Sequence, residues 1–402
     1  MKSTPGLLNN RNFLFLWLGQ LCSQFGDRLT QLVLVGIVAA RGSSSTLTLA
    51  KVLVATSLPA LLINPLAGAY VDRWDRKRTM IICDLIRAGL ILSLPVLVGW
   101  PHHLPFYLVV FGLFAVASFF IPARLALIPD LVPADRLNQA NALFTTSGMI
   151  GSTVILLAGA LLVEWFGITR NCWVNAAGYL ASAAFIVPIS RRKVDHSVPP
   201  ATVGQILREV AEGIQQLWCH RETRQLVGLL GFLMAGAGAS VVVATVLIQR
   251  SLGSVTKDVG IFSLWMGVGM LAGAMAYSRW GWSVSRRKAL GLAFLGCGAA
   301  LWGFVGAVQG LRSGVAASAV SIVLGFCLAP VGIVANTLVH ERHPERLHGR
   351  IFSSLGVVVN GSLILSMLMA GIIVNRGGHG LFLASVGGAF ALSGIALLYY
   401  RR

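Results

Sequence analysis

The sequence predicts an all-α membrane protein of twelve transmembrane helices arranged as two pseudo-symmetric six-helix bundles, and three observations carry that prediction. First, 402 residues with 56% hydrophobic side chains, only 11% charged ones and a mean hydropathy of +0.77 cannot be arranged as a soluble globule with a polar skin. Second, stretches of roughly 20 apolar residues, the length that crosses a bilayer, recur twelve times with short connections. Third, the 32 Lys and Arg residues are sorted by connection: with the N-terminus taken as cytoplasmic, 23 fall on the inner side, 7 on the outer side, and Arg28 and Arg87 lie within spans. The net charge of +18 would otherwise suggest a nucleic-acid partner. Its placement assigns it to membrane topology instead, with both termini cytoplasmic.

The spans are expected at about 13–40, 48–71, 79–100, 104–122, 139–164 and 171–189, then 225–249, 258–281, 288–308, 314–339, 351–375 and 379–400. The opening Met1-Lys-Ser-Thr-Pro-Gly6 carries no cleavable signal, so the first helix is the expected insertion signal. The longest polar stretch, near 190–224, separates an N-terminal bundle (1–190) from a C-terminal one (225–402). Within the connecting 191–224, Ile206, Leu207, Val210, Ile214, Leu217 and Trp218 recur at helical spacing opposite Arg208, Glu209, Glu212 and Gln215, which predicts an amphipathic helix on the cytoplasmic interface. The halves repeat weakly. Pro133-Ala-Asp-Arg-Leu pairs with Pro344-Glu-Arg-Leu at an offset near 211, and the same shift pairs Glu164-Trp-Phe-Gly167 with Asn375-Arg-Gly-Gly378, as a parallel duplication requires.

Charged and polar side chains within spans are expensive in lipid and are functional candidates by default. On the first helix, Gln20, Gln24, Asp27 and Gln31 are spaced by four, three and four, which places them on one stripe with Arg28 alongside. That stripe should face a central cavity, because lipid offers its polar groups no partner. Asp27 is the expected proton carrier, exchanging its proton against substrate; the alternative is a static Asp27/Arg28 or Asp27/Gln network that only fixes packing. Asp84 and Arg87, three residues apart on the third helix, can pair on one face, and Asp84 is the second proton-coupling candidate. In the second half no acid falls inside a span. Neutral polar residues, among them Ser240, Thr245, Asn336, Thr337, Asn360, Ser362 and Ser366, are what it offers a cavity. Phe119, Phe120, Phe144, Phe232 and Trp265 are aromatic candidates for stacking on a substrate or for plain packing.

Other chemistry is weakly signalled. Six dispersed cysteines include no Cys-x-x-Cys, so neither a zinc site nor a disulfide framework is expected. His340, His343 and His348 read as a solvated basic turn, and no Gly-x-x-x-x-Gly-Lys-Ser/Thr loop is present to hold ATP. No cofactor, no metal and no enzymatic nucleophile–base set is predicted.

Between spans two and three stands Gly68-Ala-Tyr-Val-Asp72-Arg73-Trp-Asp75-Arg76-Lys77-Arg78. This loop resembles the Gly-x-x-x-Asp-Arg-x-x-Arg-Lys/Arg signature of the major facilitator superfamily. Pro122-Ala-Arg124, Ile128-Pro129, Val132-Pro133 and Ala140-Asn141 are similar to the signature after helix 4 in the branch containing siderophore exporters and macrolide efflux pumps. Arg11 to Asp27, Asp84-Leu-Ile-Arg87 and Gly349-Arg350-Ile-Phe resemble the same group. The resemblance implies a monomeric transporter of a bacterial inner membrane that exports an amphipathic small molecule, a siderophore or drug-like compound, by alternating access driven by proton entry. Its partners would be that substrate, protons and the lipid bilayer, with no nucleic acid. It also implies an inner gate built from Gly68, Asp72, Arg73, Arg76 and Lys77, with Arg87, Arg124 and Asp130 as neighbours. A lysophospholipid-like substrate and a non-transporting sensor or assembly factor are the alternatives.

Overall fold

The computed structural model describes residues 7–40, 45–71, 74–98, 100, 104–190, 204–205, 208, 211–212, 215, 218, 221–254, 256–281, 284–342, 345–374 and 378–399. The chain is all-helical: α1 (Arg11–Ala40), α2 (Thr46–Leu62), α3 (Asn64–Val71), α4 (Arg76–Val98), α5 (Leu104–Leu131), α6 (Leu137–Ile186), α7 (Arg221–Leu252), α8 (Lys257–Trp280), α9 (Arg286–Val305), α10 (Gly314–Arg342), α11 (Glu345–Ile373) and α12 (His379–Tyr399). Among the described residues nine segments are long and apolar enough to cross a membrane, and Thr46–Leu62 is a shorter apolar helix. α1 has the length, at 30 residues, but its polar stripe holds its hydropathy down.

Twelve spans follow once two joints are recognised. α2 and α3 are one predicted span interrupted at Ile63, where Pro65 supplies no N–H; Ile63 N still donates to Pro59 O at 2.7 Å and Ala67 N to Ile63 O at 2.8 Å, so the chain continues across the break. α6 runs for 50 residues because two spans meet at Gly167, whose φ of 72° and ψ of 178° leave the helical region. Asn171 Nδ2 donates to Leu162 O at 2.7 Å and to Gly167 O at 2.6 Å, covering carbonyls that the break leaves open. At the position 211 residues later, Gly378 has φ 77°. The sequence repeat therefore recurs as a positive φ at both glycines, a conformation that favours glycine.

A second correspondence lies at the basic loops. Asp75 Oδ1 accepts from Arg78 N at 2.9 Å at the start of α4, and Ser285 Oγ accepts from Lys288 N at 3.4 Å at the start of α9. Each is a cap followed by basic residues, with Ser taking the place of Asp.

By internal packing the chain divides into two units: Met1–Ile37 with Ala55–Ile206, and Val38–Val54 with Leu207–Arg402. In the first, α4 packs against α5 and α6, and Phe13, Leu16, Met80, Phe120, Leu127, Ile128 and Phe144 form a buried core. In the second, the main pairings are α8 with α10, α9 with α12, and α7 with α11. The α8–α10 seam is glycine-lined: Gly269 meets Ile322 O, Gly273 meets Phe326 O and Gly325 meets Met266 O, approaches that leave no room for a Cβ. The large apolar side chains left exposed, such as Ile82, Leu85, Trp165, Val315 and Leu392, lie on the spans and suit lipid contact.

Of the predicted linker helix, Gly204, Gln205, Arg208, Ala211, Glu212, Gln215 and Trp218 are helical, and Arg208 Nε bonds Glu212 Oε1 at 3.0 Å. Its apolar face, Ile206, Leu207, Val210, Ile214 and Leu217, lies outside the described residues.

Candidate functional site

The helical spacing of α1 brings its stripe to one side of a cavity within the first unit. Gln20, Ser23, Gln24, Asp27, Arg28 and Gln31 form one wall; Thr56, Ala60 and Asn64 of α2–α3, and Phe114, Ala117, Ser118, Phe120, Ile121 and Arg124 of α5, form the rest. Its volume is about 300 Å³. Five of the predicted substrate-facing or proton-carrying residues, Gln20, Gln24, Asp27, Arg28 and Gln31, therefore share one space.

Behind this wall lies a charge cluster. Arg87 of α4 is 1% exposed, and its guanidinium serves two carboxylates. Nη1 donates to Asp27 Oδ1 at 2.8 Å, while Nη2 pairs with Asp84 Oδ1 and donates to Ser23 Oγ at 2.8 Å. Asp84 is completely buried, and among the described residues no group meets its Oδ2 at hydrogen-bond geometry, whereas the Asp27 side chain is 38% exposed on the cavity side. The faces of the guanidinium are occupied as well, by Phe120 at 4.8 Å and Tyr179 at 4.6 Å. Such packing supports a buried cation without adding charge.

α6 contributes the part that sequence reasoning missed. Tyr179 Oη donates to Asp27 Oδ1 at 3.0 Å and lies 3.2 Å from Thr30 Oγ1, which accepts from Asn175 Nδ2 at 2.7 Å and donates to Gly26 O at 2.8 Å. The Tyr179 ring reaches Asp27 because position 26 is glycine: a Cβ there would lie 2.6 Å from the ring. The signal was available in the spacing of Asn171, Asn175, Tyr179 and Ser182, a buried polar stripe at intervals of four, four and three.

Several expectations find other partners. Arg28 bonds Gln31 Oε1 at 3.0 Å and makes no ion pair with Asp27 among the described residues. Arg87, named with the gate, takes up the Asp27–Asp84 cluster. At the inner end of α4, Arg76 Nη1 meets Asp130 Oδ2 at 3.0 Å and Oδ1 at 3.2 Å, and also donates to Ala126 O at 2.9 Å. Lys77 begins the same helix and is half-buried. Gly68 lies within α3, while Asp72 and Arg73 fall outside the described residues. In the second unit, Asn360 Nδ2 donates to Gly356 O of its own helix at 2.9 Å, and the Asn336 side chain is outside the description. Of the aromatic candidates Phe120 lines the cavity; Phe119 stacks on Trp74 at 5.7 Å, Phe144 packs on Phe13 at 5.5 Å, and Phe232 lies against Phe294 and Phe390.

Chemically, the cluster holds two acids against one base that keeps its charge at any accessible pH. With both acids ionised it carries one net negative charge; with one proton it is neutral. Of the two acids, Asp27 is the one that lines the cavity.

Comparison with known proteins agrees with this architecture. A model of the Major Facilitator Superfamily matches residues 16–367. The chain is 26% identical over 330 residues to the putative bacilysin exporter BacE of Bacillus subtilis (strain 168), covering 80% of each chain. It is 24% identical over 365 residues to the multidrug efflux pump Tap of Mycolicibacterium fortuitum, covering 85% of this chain and 84% of that one. Among solved structures, an auto-inhibited POT family peptide transporter superposes with a TM-score of 0.75 at 12% identity over 98% of both chains.

Proposed function

Because the chain belongs to the major facilitator superfamily, we propose that it exports an amphipathic small molecule, siderophore or drug-like, by alternating access in exchange for protons. It is an integral membrane transporter; the bacterial inner membrane, cytoplasmic termini and a monomeric state complete the proposal. The observation that carries it is the Arg87 guanidinium shared by buried Asp84 and cavity-exposed Asp27. Similarity to chains named as exporters and efflux pumps supports the outward direction.

In this reading Asp27 binds a proton from the cavity and lets go of Arg87, which keeps its charge satisfied on Asp84. Substrate arrival favours the deprotonated state, and Asp27 then returns to Arg87 and Tyr179. Gln20, Gln24, Arg28 and Gln31 line the route, and Asn336 and Asn360 are the second-half residues proposed to contribute to it. Arg76 with Asp130 holds the inner loop, together with Gly68, Asp72, Arg73 and Lys77, so substitution there changes rate more than selectivity.

The test is proton movement in proteoliposomes under an imposed pH gradient, challenged with siderophores, macrolides and lysolipids. A substrate-dependent flux that disappears in Asp27→Asn is the expected result. Flux that persists in that variant removes Asp27 from the mechanism, and a response confined to lysolipids replaces the substrate class with a lipid-like one.

A further inference from the structure

The cavity holds a cation that nothing in the proton cluster uses. Arg124 lies along α5 and lines the cavity, yet among the described residues its guanidinium meets no carboxylate, and its Nε is buried without a hydrogen-bond partner. Its guanidinium packs against the Phe144 ring, 5.3 Å from the guanidinium carbon. A ring on the face of a guanidinium leaves the edge free, and the edge is the part that binds a carboxylate or phosphate by two parallel N–H donors. Keeping such a cation unpaired in a largely buried position is costly, and a bound anion removes the cost.

The charges of the cavity point the same way. Asp27 is already bonded to Arg87 and Tyr179, whereas among the described residues the charged nitrogens of Arg28 and Arg124 meet no acid. With Asp84 included, the cluster and these two arginines sum to one net positive charge when both acids are ionised, and to two when one is protonated.

Resting on the reading that this cavity belongs to the substrate route, we propose that Arg124 holds an acidic group of the substrate, which makes amphipathic acids, free or zwitterionic, the substrate class. Arg124 and Asp27 line the same cavity from different helices, α5 and α1. Asp27 is held by Arg87 and Tyr179, so an acid bound by Arg124 takes a partner of its own and leaves that pairing in place. The rest of the substrate is left to approach Asp27, where an ammonium or hydroxyl would compete with the proton.

Four forms of one dipeptide, Leu-Phe, separate the possibilities: the free zwitterion, its N-acetyl anion, its C-terminal amide cation and the neutral N-acetyl amide. Binding to the purified full-length chain in detergent is measured by calorimetry and thermal shift, and proton flux is measured in proteoliposomes. The two acid-bearing forms are expected to bind at least about tenfold more tightly than their amides. Arg124→Gln should abolish that preference and Arg124→Lys should retain part of it, with both variants unfolding at wild-type temperature. Equal binding of acids and amides, preference for the amides, an equal loss for all forms in Arg124→Gln, or no binding by any of the four overturns the proposal. Flux driven only by amides overturns it while leaving proton-coupled export intact. Acid-selective binding without flux sustains the site and counts against export.

Discussion

Arg87 is one cation between two acids, so either acid can be dispensed with for folding but not both. Asp27→Asn leaves the buried Asp84–Arg87 pair, and Asp84→Asn leaves the Asp27–Arg87 pair. Each single variant should fold. The double variant strands a guanidinium that is 1% exposed, a change that costs about 3–5 kcal/mol. Thermal unfolding in detergent should therefore show strong non-additivity, and a double variant as stable as either single one would refute the shared-cation account. Function should part from stability: Asp84→Asn commits Arg87 to Asp27 alone, and its proton flux should fall at least about tenfold, since a one-to-one pair gives up its partner less readily. The sequence showed the stripe of Asp27 because its spacing is local to one helix. It showed Asp84 and Arg87 as an i, i+3 pair for the same reason. That Arg87 also bridges to α1, and that Tyr179 completes the set from α6, depends on which faces three helices turn towards one another, which periodicity within one helix does not specify.

The kinks and close seams give the elements their own tests. Gly167 and Gly378 hold positive φ at equivalent places in the two halves, at 72° and 77°. Each substitution to Ala should cost about 1–3 kcal/mol, because a Cβ is strained there although nothing lies within 4 Å to obstruct it. Comparing the two variants by thermal unfolding separates this backbone cost from packing. The opposite case is Gly26, which is buried in α1, where space alone is limiting. Gly26→Ala should displace the Tyr179 ring from Asp27 and alter flux with only a modest change in stability. Wild-type flux in Gly26→Ala would show that the Tyr179 bond is dispensable. Helix ends were less legible than helix centres. The span expected at 104–122 continues as α5 to Leu131, through Pro122 and Pro129, because burial of Ala123, Leu127, Ile128 and Leu131 outweighs the lost backbone bonds. That extension sets Arg124 and Asp130 on a helix, where they meet the cavity and Arg76.

At the scale of the whole molecule, hydropathy made the spans readable, since the bilayer imposes it on every segment separately, and the duplication was readable in the short correspondences at an offset near 211. The allegiance of α2 was not readable. Val38–Val54 belongs by sequence to the first six-helix half, yet it packs with the second unit. There Ala50 shares a buried cluster with Val242 and Met367, the Thr46 hydroxyl lies 2.8 Å from His379 Nε2, and a Cβ on Gly371 would come within 2.6 Å of Ala50 Cβ. Alternating access requires some contacts to be exchanged in each cycle, and a chain segment that packs away from its own half is a natural candidate. In a variant with the six native cysteines replaced, Thr46→Cys and His379→Cys should be bridged by a short bis-methanethiosulfonate reagent, since the native side chains meet at their tips. With the bridge in place transport should stop and on its reduction it should return, while each single-cysteine variant stays active throughout. Undiminished transport by the cross-linked protein would mean that Val38–Val54 keeps these contacts through the whole cycle, and that the exchange takes place elsewhere in the chain.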